Sequence, residues 1–402
     1  MQATLSPVLV GIDLAKDSFT VAVGHQGHEV LHAFPLDQAG LTSFSQFLGR
    51  FGSFPQDFFF GLEASGPYTN LLLNWLRARQ ARTSLLNPLQ LYRFRRAQSL
   101  RCTKTDAIDA RLTLRYMTQN YQDLQPCPAD DDLQVLANAY QEVTRQVARL
   151  KTQIRQQVHT LFPELAGTST LFSRRVLAVL LHFPSAHALA HAKPTNLAHI
   201  WASACPASGR PLALTCEKLQ ELARASIAPR APQRESVLRS AIRQLLMLLE
   251  EQKTLRRALL AAVRSAYPDT WRVLNSIPGL GPVTIALFLA RVRSLDRFPG
   301  HRQLAAYAGI DPTTYESGQY KAKGHLSKRG DPSLRSVLYL MAQGVIRRTT
   351  TFRLYFDQLT ARGKAYRVAI IACAHKLLRV IFALARSLTE FRDLPAEEVS
   401  HS

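Results

Sequence analysis

Acidic residues are scarce in this 402-residue chain: 29 Asp+Glu face 50 Lys+Arg, a formal charge of +21 with histidine neutral. Self-repulsion of that size opposes the compact state, so it marks a surface built for a polyanion, nucleic acid before anionic membrane. Cysteine is sparse too. The five thiols (Cys102, Cys127, Cys205, Cys216, Cys373) are scattered and make no CxxC pair, which excludes a disulfide framework and a zinc ribbon and leads us to expect reduced thiols in a cytoplasm. Long apolar runs are missing. The longest, 368–385, is interrupted by His375, Lys376 and Arg379, and 284–290 is far too short to span a bilayer. No charged segment precedes an apolar one at the N-terminus, so neither a membrane partner nor export is expected. What is present suffices for ordinary cores: 47% of the residues are apolar and 20% charged, and the length allows two or three domains.

The first 125 residues read as α/β. Short β-rich runs at 8–15, 18–23 and 29–35 are separated by turn-like Lys16-Asp17 and Gln26-Gly27, a three-stranded meander. Asp37 is a suitable N-cap for a helix to about Phe51, 57–62 is a continuous apolar strand, and a helix with Pro67 in its first turn runs to about Arg79. Residues 83–86 complete a βββαβαβα order, the pattern of a ribonuclease-H-like fold. From Leu133 the apolar spacing alternates between three and four through Leu136, Tyr140, Val143, Val147, Leu150, Ile154 and Leu161, a heptad seam on one long helix. A second long amphipathic helix, 233–267, carries Leu238, Ile242, Leu245, Leu249 and Leu259, and the two are expected to form a coiled-coil arm or to pair with another copy of the chain. The predicted organisation is thus an α/β domain at 1–125, coiled-coil helices at 126–267 with an unassigned insertion at 167–232, and a basic helical domain at 268–392.

Four carboxylates stand out in the first domain. Asp13 lies in the first strand, Glu63 ends the strand Phe58–Leu62, and Asp106 and Asp109 are three apart on one face of a helix. A carboxylate on an apolar strand is costly unless it pairs or binds a cation, and hard oxygen ligands clustered this way suit Mg²⁺. Taken singly, each has an ordinary explanation: Asp13 begins a turn, Glu63 caps a helix, and Asp106 and Asp109 face a helix dipole. Their joint placement on the strand order reverses that preference. Ten Lys/Arg between Arg77 and Arg115, among them Arg93, Arg95, Arg96, Arg101 and Lys104, meet only Asp106 and Asp109 in sequence. Such a run reads as a backbone-tracking nucleic-acid surface with Tyr92 and Phe94 available to stack, against the plainer reading of a solvated helix face. The histidines 182, 187, 191 and 199 with Cys205 match no familiar zinc spacing, and no metal is expected there.

The stretches Gly11-Ile12-Asp13-Leu14-Ala15-Lys16, Glu63-Ala64-Ser65-Gly66 and Lys104-Thr105-Asp106-Ala107-Ile108-Asp109-Ala110 resemble those of insertion-sequence transposases with a RuvC-like DEDD domain, the group that includes Piv-type DNA invertases and bridge-RNA-guided recombinases. In that likeness Asp13, Glu63, Asp106 and Asp109 fall on the family's metal-binding positions. The second half is similar as well. Ile277-Pro278-Gly279-Leu280-Gly281-Pro282 resembles a helix-hairpin-helix turn in which Gly279 and Gly281 let the backbone approach a phosphate; an ordinary Gly/Pro connection reads the same way. Leu304 to Pro312, Ser317-Gly318 and Leu326 to Pro332 are similar to the family's C-terminal transposase domain, whose serine before glycine is the nucleophile, so Ser317 is the residue the likeness singles out. A serine hydroxyl needs activation, and Lys321, Lys323, Lys328 and Arg329 are cations able to neutralise a phosphate. Ser327 fits a capping or phosphate-contacting role better.

The resemblance implies a Mg²⁺-assisted transposase and site-specific recombinase acting on DNA (element ends and target), guided by a noncoding bridge RNA. It further implies a homo-oligomer, a dimer assembling to a tetramer, in a bacterial cytoplasm at the nucleoid. Two rivals stay open at this point: a Holliday-junction-type nuclease that activates water, and a nucleic-acid-binding protein without catalysis.

Overall fold

A computed structural model describes residues 7–25, 27–63, 67–98, 105–124, 126, 132–204, 214–313, 316–317, 320–321, 325–326 and 330–393. The chain divides into two compact units, Met1–Asp131 and Asp132–Ser402.

The first unit holds β1 (Val8–Leu14), β2 (Ser18–His25), β3 (His28–Pro35), α1 (Gln38–Leu48), β4 (Phe58–Glu63), α2 (Pro67–Ala78), β5 (Arg82–Leu86), α3 (Pro88–Gln98) and α4 (Asp106–Gln119). This is the βββαβαβα order expected, followed by one more helix, α4. The strands form one mixed sheet in the order β3-β2-β1-β4-β5, antiparallel through β1 to β3 and parallel from β1 through β4 to β5. Side chains alternate between faces, and the even-numbered positions of β1 and β4 (Val10, Ile12, Phe58, Phe60, Leu62) build the main core with Phe44, Phe47 and Leu48 of α1 and Leu72 and Leu76 of α2. Asp37 starts α1 by accepting a hydrogen bond from the Gly40 amide at 2.7 Å. The odd-numbered face is covered by α4, whose Ala110 and Leu114 pack with Ala22 and whose Met117 packs with Phe59.

The second unit is helical apart from short ladders. It is framed by α5 (Asp132–Leu161) and α11 (Pro232–Ala266). Leu133 and Ala137 near the start of α5 share a core with Leu259 and Val263 at the end of α11, whereas Ile154 and Val158 share one with Leu238 and Ile242; the two helices therefore run antiparallel. The insertion without a motif is itself a small helical layer. α6 (Pro163–Ala166), α7 (Arg174–His182), α8 (Ala186–Ala190), α9 (Pro194–Ser203) and α10 (Cys216–Arg224) bury Val176, Leu180, Leu189, Leu197 and Leu219 against the second half of α5 and the first half of α11. Beyond α11 come α12 (Pro268–Asn275), α13 (Pro282–Val292), α14 (His301–Ala308), α15 (Pro332–Arg348), α16 (Thr350–Ala361) and α17 (Tyr366–Ser387), packed around a second core. α17 is the one helix among the described residues long and apolar enough to cross a membrane, yet its apolar positions Ile370, Cys373, Leu377, Leu378 and Ile381 lie in that core. Between α14 and α15, Pro312–Thr313 (β6) pairs with His325–Leu326 (β9), and Glu316–Ser317 (β7) pairs with Tyr320–Lys321 (β8).

Candidate functional site

Asp13 and Glu63 are brought side by side by the sheet. Because Ile12 pairs with Leu62 in the parallel ladder, Asp13 and Glu63 follow at the same level on adjacent strands, where neighbouring strands are about 4.8 Å apart. Both belong to the face opposite the main core, the face α4 covers. That helix can lie close because the positions below it, Gly11 and Gly61, have no side chains: a Cβ on Gly11 would run into the backbone of Ala110 and Leu114, and one on Gly61 into Met117. Thr105 caps α4, accepting from the Ile108 amide at 3.3 Å, so Asp106 and Asp109 occupy its first turn. They are not equivalent. Asp109 is 5% exposed, whereas Asp106 faces solvent.

Asp109 carries a bound cation of its own. The Arg95 guanidinium of α3 donates through Nη2 to Asp109 Oδ1, a contact the sequence reading missed when it grouped Arg95 with the surface cations. Arg93 and Arg96 are exposed as that reading wanted, with Arg96 lying 5.9 Å from the ring of exposed Tyr92. Phe94, by contrast, packs edge-on against Tyr116 at 5.3 Å. Arg111 and Arg115 reach Glu29 of β3 at 3.5 and 3.0 Å, an acid invisible in a reading confined to 77–115. Arg101, Lys104 and the Ala64-Ser65-Gly66 part of the Glu63 motif lie outside the described residues.

Four hard oxygen donors fit a divalent cation in chemistry, and Asp13, Glu63 and the buried Asp109 belong to the same side of the sheet, so these residues would hold it. Among the described residues no three acidic, histidine or cysteine side chains close around a point. The histidine cluster does not do so either: the His187 and His191 rings stack at 4.5 Å, and His187 Nε2 accepts from Arg230 Nε at 2.8 Å. Cys205 lies outside the described residues.

In the second unit, Ser317 ends β7 opposite Tyr320, at the tip of the hairpin. Lys321 follows Tyr320 on β8; Lys323, Ser327, Lys328 and Arg329 lie outside the described residues. In the turn between α12 and α13, Gly279 has φ +94°, and a Cβ there would collide with the carbonyl of Gly344 on α15. The close approach at Gly279 is thus already made by another helix. Gly281 caps α13, its carbonyl accepting from Thr284 Oγ1 at 2.7 Å, and the space at its own Cβ is nearly open.

The mixed sheet thus carries Asp13 and Glu63 on adjacent strand ends, with Asp109 on the helix laid over that face. Residues 10–163 match the DEDD transposase family of IS110, and residues 271–357 match the transposase IS116/IS110/IS902 family. The chain belongs to the IS110-type insertion-sequence transposases. It is 33% identical over 152 residues to an insertion element IS110 protein of Streptomyces coelicolor and 30% identical over 152 residues to an insertion element IS116 protein of Streptomyces clavuligerus. Those alignments cover 38% of this chain and only 37% and 38% of the two relatives. The pilin gene-inverting protein of Moraxella bovis is 22% identical over 390 residues, 96% of this chain and 98% of that protein.

Proposed function

We propose that this chain is the DNA transposase and site-specific recombinase of an insertion sequence, breaking and rejoining phosphodiesters at element ends and target. The level pairing of Asp13 and Glu63 beneath α4, with buried Asp109 on that helix, is the observation that carries the reading. Anionic groups gathered in so basic a protein have no use in simple polyanion binding. The similarity along nearly the whole chain to a protein named for gene inversion supports rearrangement of DNA rather than its degradation.

In this reading Ser317 is the nucleophile. Its Oγ forms a bond to the scissile phosphorus, the bond to the leaving deoxyribose oxygen breaks, and that oxygen takes up a proton; attack by a second DNA hydroxyl on the phosphoserine reverses the step and rejoins the strand. Asp13, Glu63, Asp106 and Asp109 hold Mg²⁺, which supplies Lewis-acid stabilisation of phosphate charge when bound. Lys321, Lys323, Lys328 and Arg329 neutralise non-bridging oxygens, while Arg93, Arg96, Arg101 and Lys104 track a nucleic-acid backbone without reading sequence. Gly281, at the N-terminus of α13, makes the helix-hairpin-helix-like contact to phosphate, while Gly279 shapes the turn against Gly344. Sequence choice then comes from a bridge RNA paired to the DNA. The carboxylate domain is ribonuclease-H-like, α5 and α11 form a coiled-coil arm, the chain works as a homo-oligomer built from dimers, and it acts at the bacterial nucleoid.

The test is an SDS gel of the purified chain, co-purifying RNA retained, with labelled DNA from the gene's own flanks and Mg²⁺. An SDS-resistant adduct that vanishes in Ser317→Ala and in Asp13→Ala is expected. Free nicked DNA that survives Ser317→Ala but not Asp13→Ala would leave a water-activating nuclease, and salt-sensitive binding with no strand breaks would leave a binding protein.

A further inference from the structure

The segment that bears Ser317 is joined to the helical core through Ile310 on one side and Gly330-Asp331 on the other. Its two roots touch backbone to backbone: the Asp331 amide donates to Tyr307 O at 2.9 Å, and a Cβ on Gly330 would strike Tyr307 O and the Gly309 amide. Ile310 O is held by His375 Nε2 of α17 at 2.7 Å, and Arg335 Nη1 donates to Ala308 O at 3.2 Å.

One residue in this assembly is out of keeping with its surroundings. Arg291 is the one charged residue of α13, a helix otherwise apolar but for Thr284, yet its side chain is only 5% exposed. Its Nη1 donates to Asp331 Oδ2 at 2.9 Å, and its Nη2 reaches Asn138 Oδ1 at 2.6 Å and Gln141 Oε1 at 2.7 Å on α5. The other oxygen of Asp331 caps α15, accepting from the amides of Ser333 at 2.7 Å and Leu334 at 3.1 Å. A helix cap alone does not need a buried guanidinium, and desolvating an ion pair costs about as much as the pairing returns, so apolar packing would serve stability as well. What the network adds is direction. The planar fork fixes Asp331 relative to two helices at once, immediately after the hairpin segment returns to the core.

Resting on the reading of Ser317 as nucleophile, we propose that Arg291 is a positioning residue: through Asp331 it sets where the returning limb of the hairpin begins, and so where Ser317 is presented to the scissile phosphate. Asn138 and Gln141 act with it, by holding the guanidinium from the side of α5.

The experiment uses the full-length chain with co-purifying RNA and compares the parent, Arg291→Lys, Arg291→Gln and the double variant Asn138→Ala/Gln141→Ala. The double variant keeps the buried Arg291–Asp331 ion pair while removing the two acceptors of Nη2, and Arg291→Lys keeps the charge, so these variants answer even where Arg291→Gln fails to fold. Three readouts are taken: single-turnover formation of the SDS-resistant adduct, affinity for the same DNA, and hydrogen exchange of the 310–331 peptide. In the double variant the adduct should form at least about tenfold more slowly, the scale on which small misplacements act, with DNA affinity unchanged and faster exchange confined to 310–331. Arg291→Lys should retain more rate than Arg291→Gln. An unchanged adduct rate, or a loss that only tracks DNA affinity or the folded fraction, overturns the positioning role alone. A parent whose adduct persists in Ser317→Ala overturns the nucleophile reading and the positioning role with it.

Discussion

Two glycines decide how near α4 comes to the sheet, and hence whether Asp109 can stand on the same side as Asp13 and Glu63. They are not equally replaceable. A Cβ at Gly11 would meet only backbone atoms of Ala110 and Leu114, which cannot move without the helix, whereas one at Gly61 would meet the Met117 thioether, which can swing aside. Gly11→Ala is expected to destabilise by about 3 kcal/mol or more and Gly61→Ala by about 1 kcal/mol, the two ends of the range for overpacking, as measured by urea unfolding. At this scale the sequence was informative about chemical type and silent about partners. The four carboxylates were legible as oxygen donors, but nothing in the local pattern assigned Arg95 to Asp109 or Glu29 to Arg111 and Arg115. Those pairs join residues far apart in sequence or on different helices. The signal for Arg291 was available in principle: one cation within the mostly apolar run Val283 to Val292.

Among the elements, α16 shows a helix start completed from a distance. Its cap residue Thr349 makes no side-chain capping bond, and Asp393 takes that place, accepting from the Thr350 amide at 2.6 Å, the Thr351 amide at 3.1 Å and Thr351 Oγ1 at 2.8 Å. Partial burial pushes the Asp393 carboxyl up, but the donors from Thr350 and Thr351 outweigh it and hold the group below the ordinary carboxylate value. A carboxylate with a lowered folded-state value contributes stability above its unfolded value of about 3.9 and loses it as pH falls through the folded one. Asp393→Ala should therefore lower the melting temperature at pH 7, by an amount equivalent to about 1 kcal/mol for a lost cap, and the gap from the parent should close as pH is taken below about 4. The long helices α5 and α11 and the strands of the first unit were legible because their apolar periodicity is unbroken over many residues. The helices α6 to α10 were not, since several are shorter than three turns and such runs carry too few apolar positions to reveal a period.

For the whole molecule the governing quantity is the charge of +21. If the arginine surface tracks a backbone, affinity for DNA falls linearly on logarithmic axes with salt, by a slope of about 0.9 per phosphate neutralised. Arg93→Ala combined with Arg96→Ala should reduce that slope by about 2 and weaken binding alike across unrelated DNA sequences, as read from fluorescence anisotropy over a salt series. A slope unchanged from the parent would remove these exposed arginines from the interface.

By itself the sequence determined the net positive charge, the strand and long-helix pattern and the identity of the candidate donors, because charge, periodicity and side-chain chemistry are local properties that add along the chain. Which donors become neighbours was decided only by tertiary structure. Adjacent placement of Asp13 and Glu63 depends on β1 and β4 pairing in parallel across the intervening β2, β3 and α1. The same holds for the roots of the Ser317 segment. Arg291, Asp331, Asn138 and Gln141 lie on separate elements, and only the packing of α13 between α5 and the start of α15 brings their side chains within hydrogen-bond reach, where exclusion of water makes each of those contacts directional.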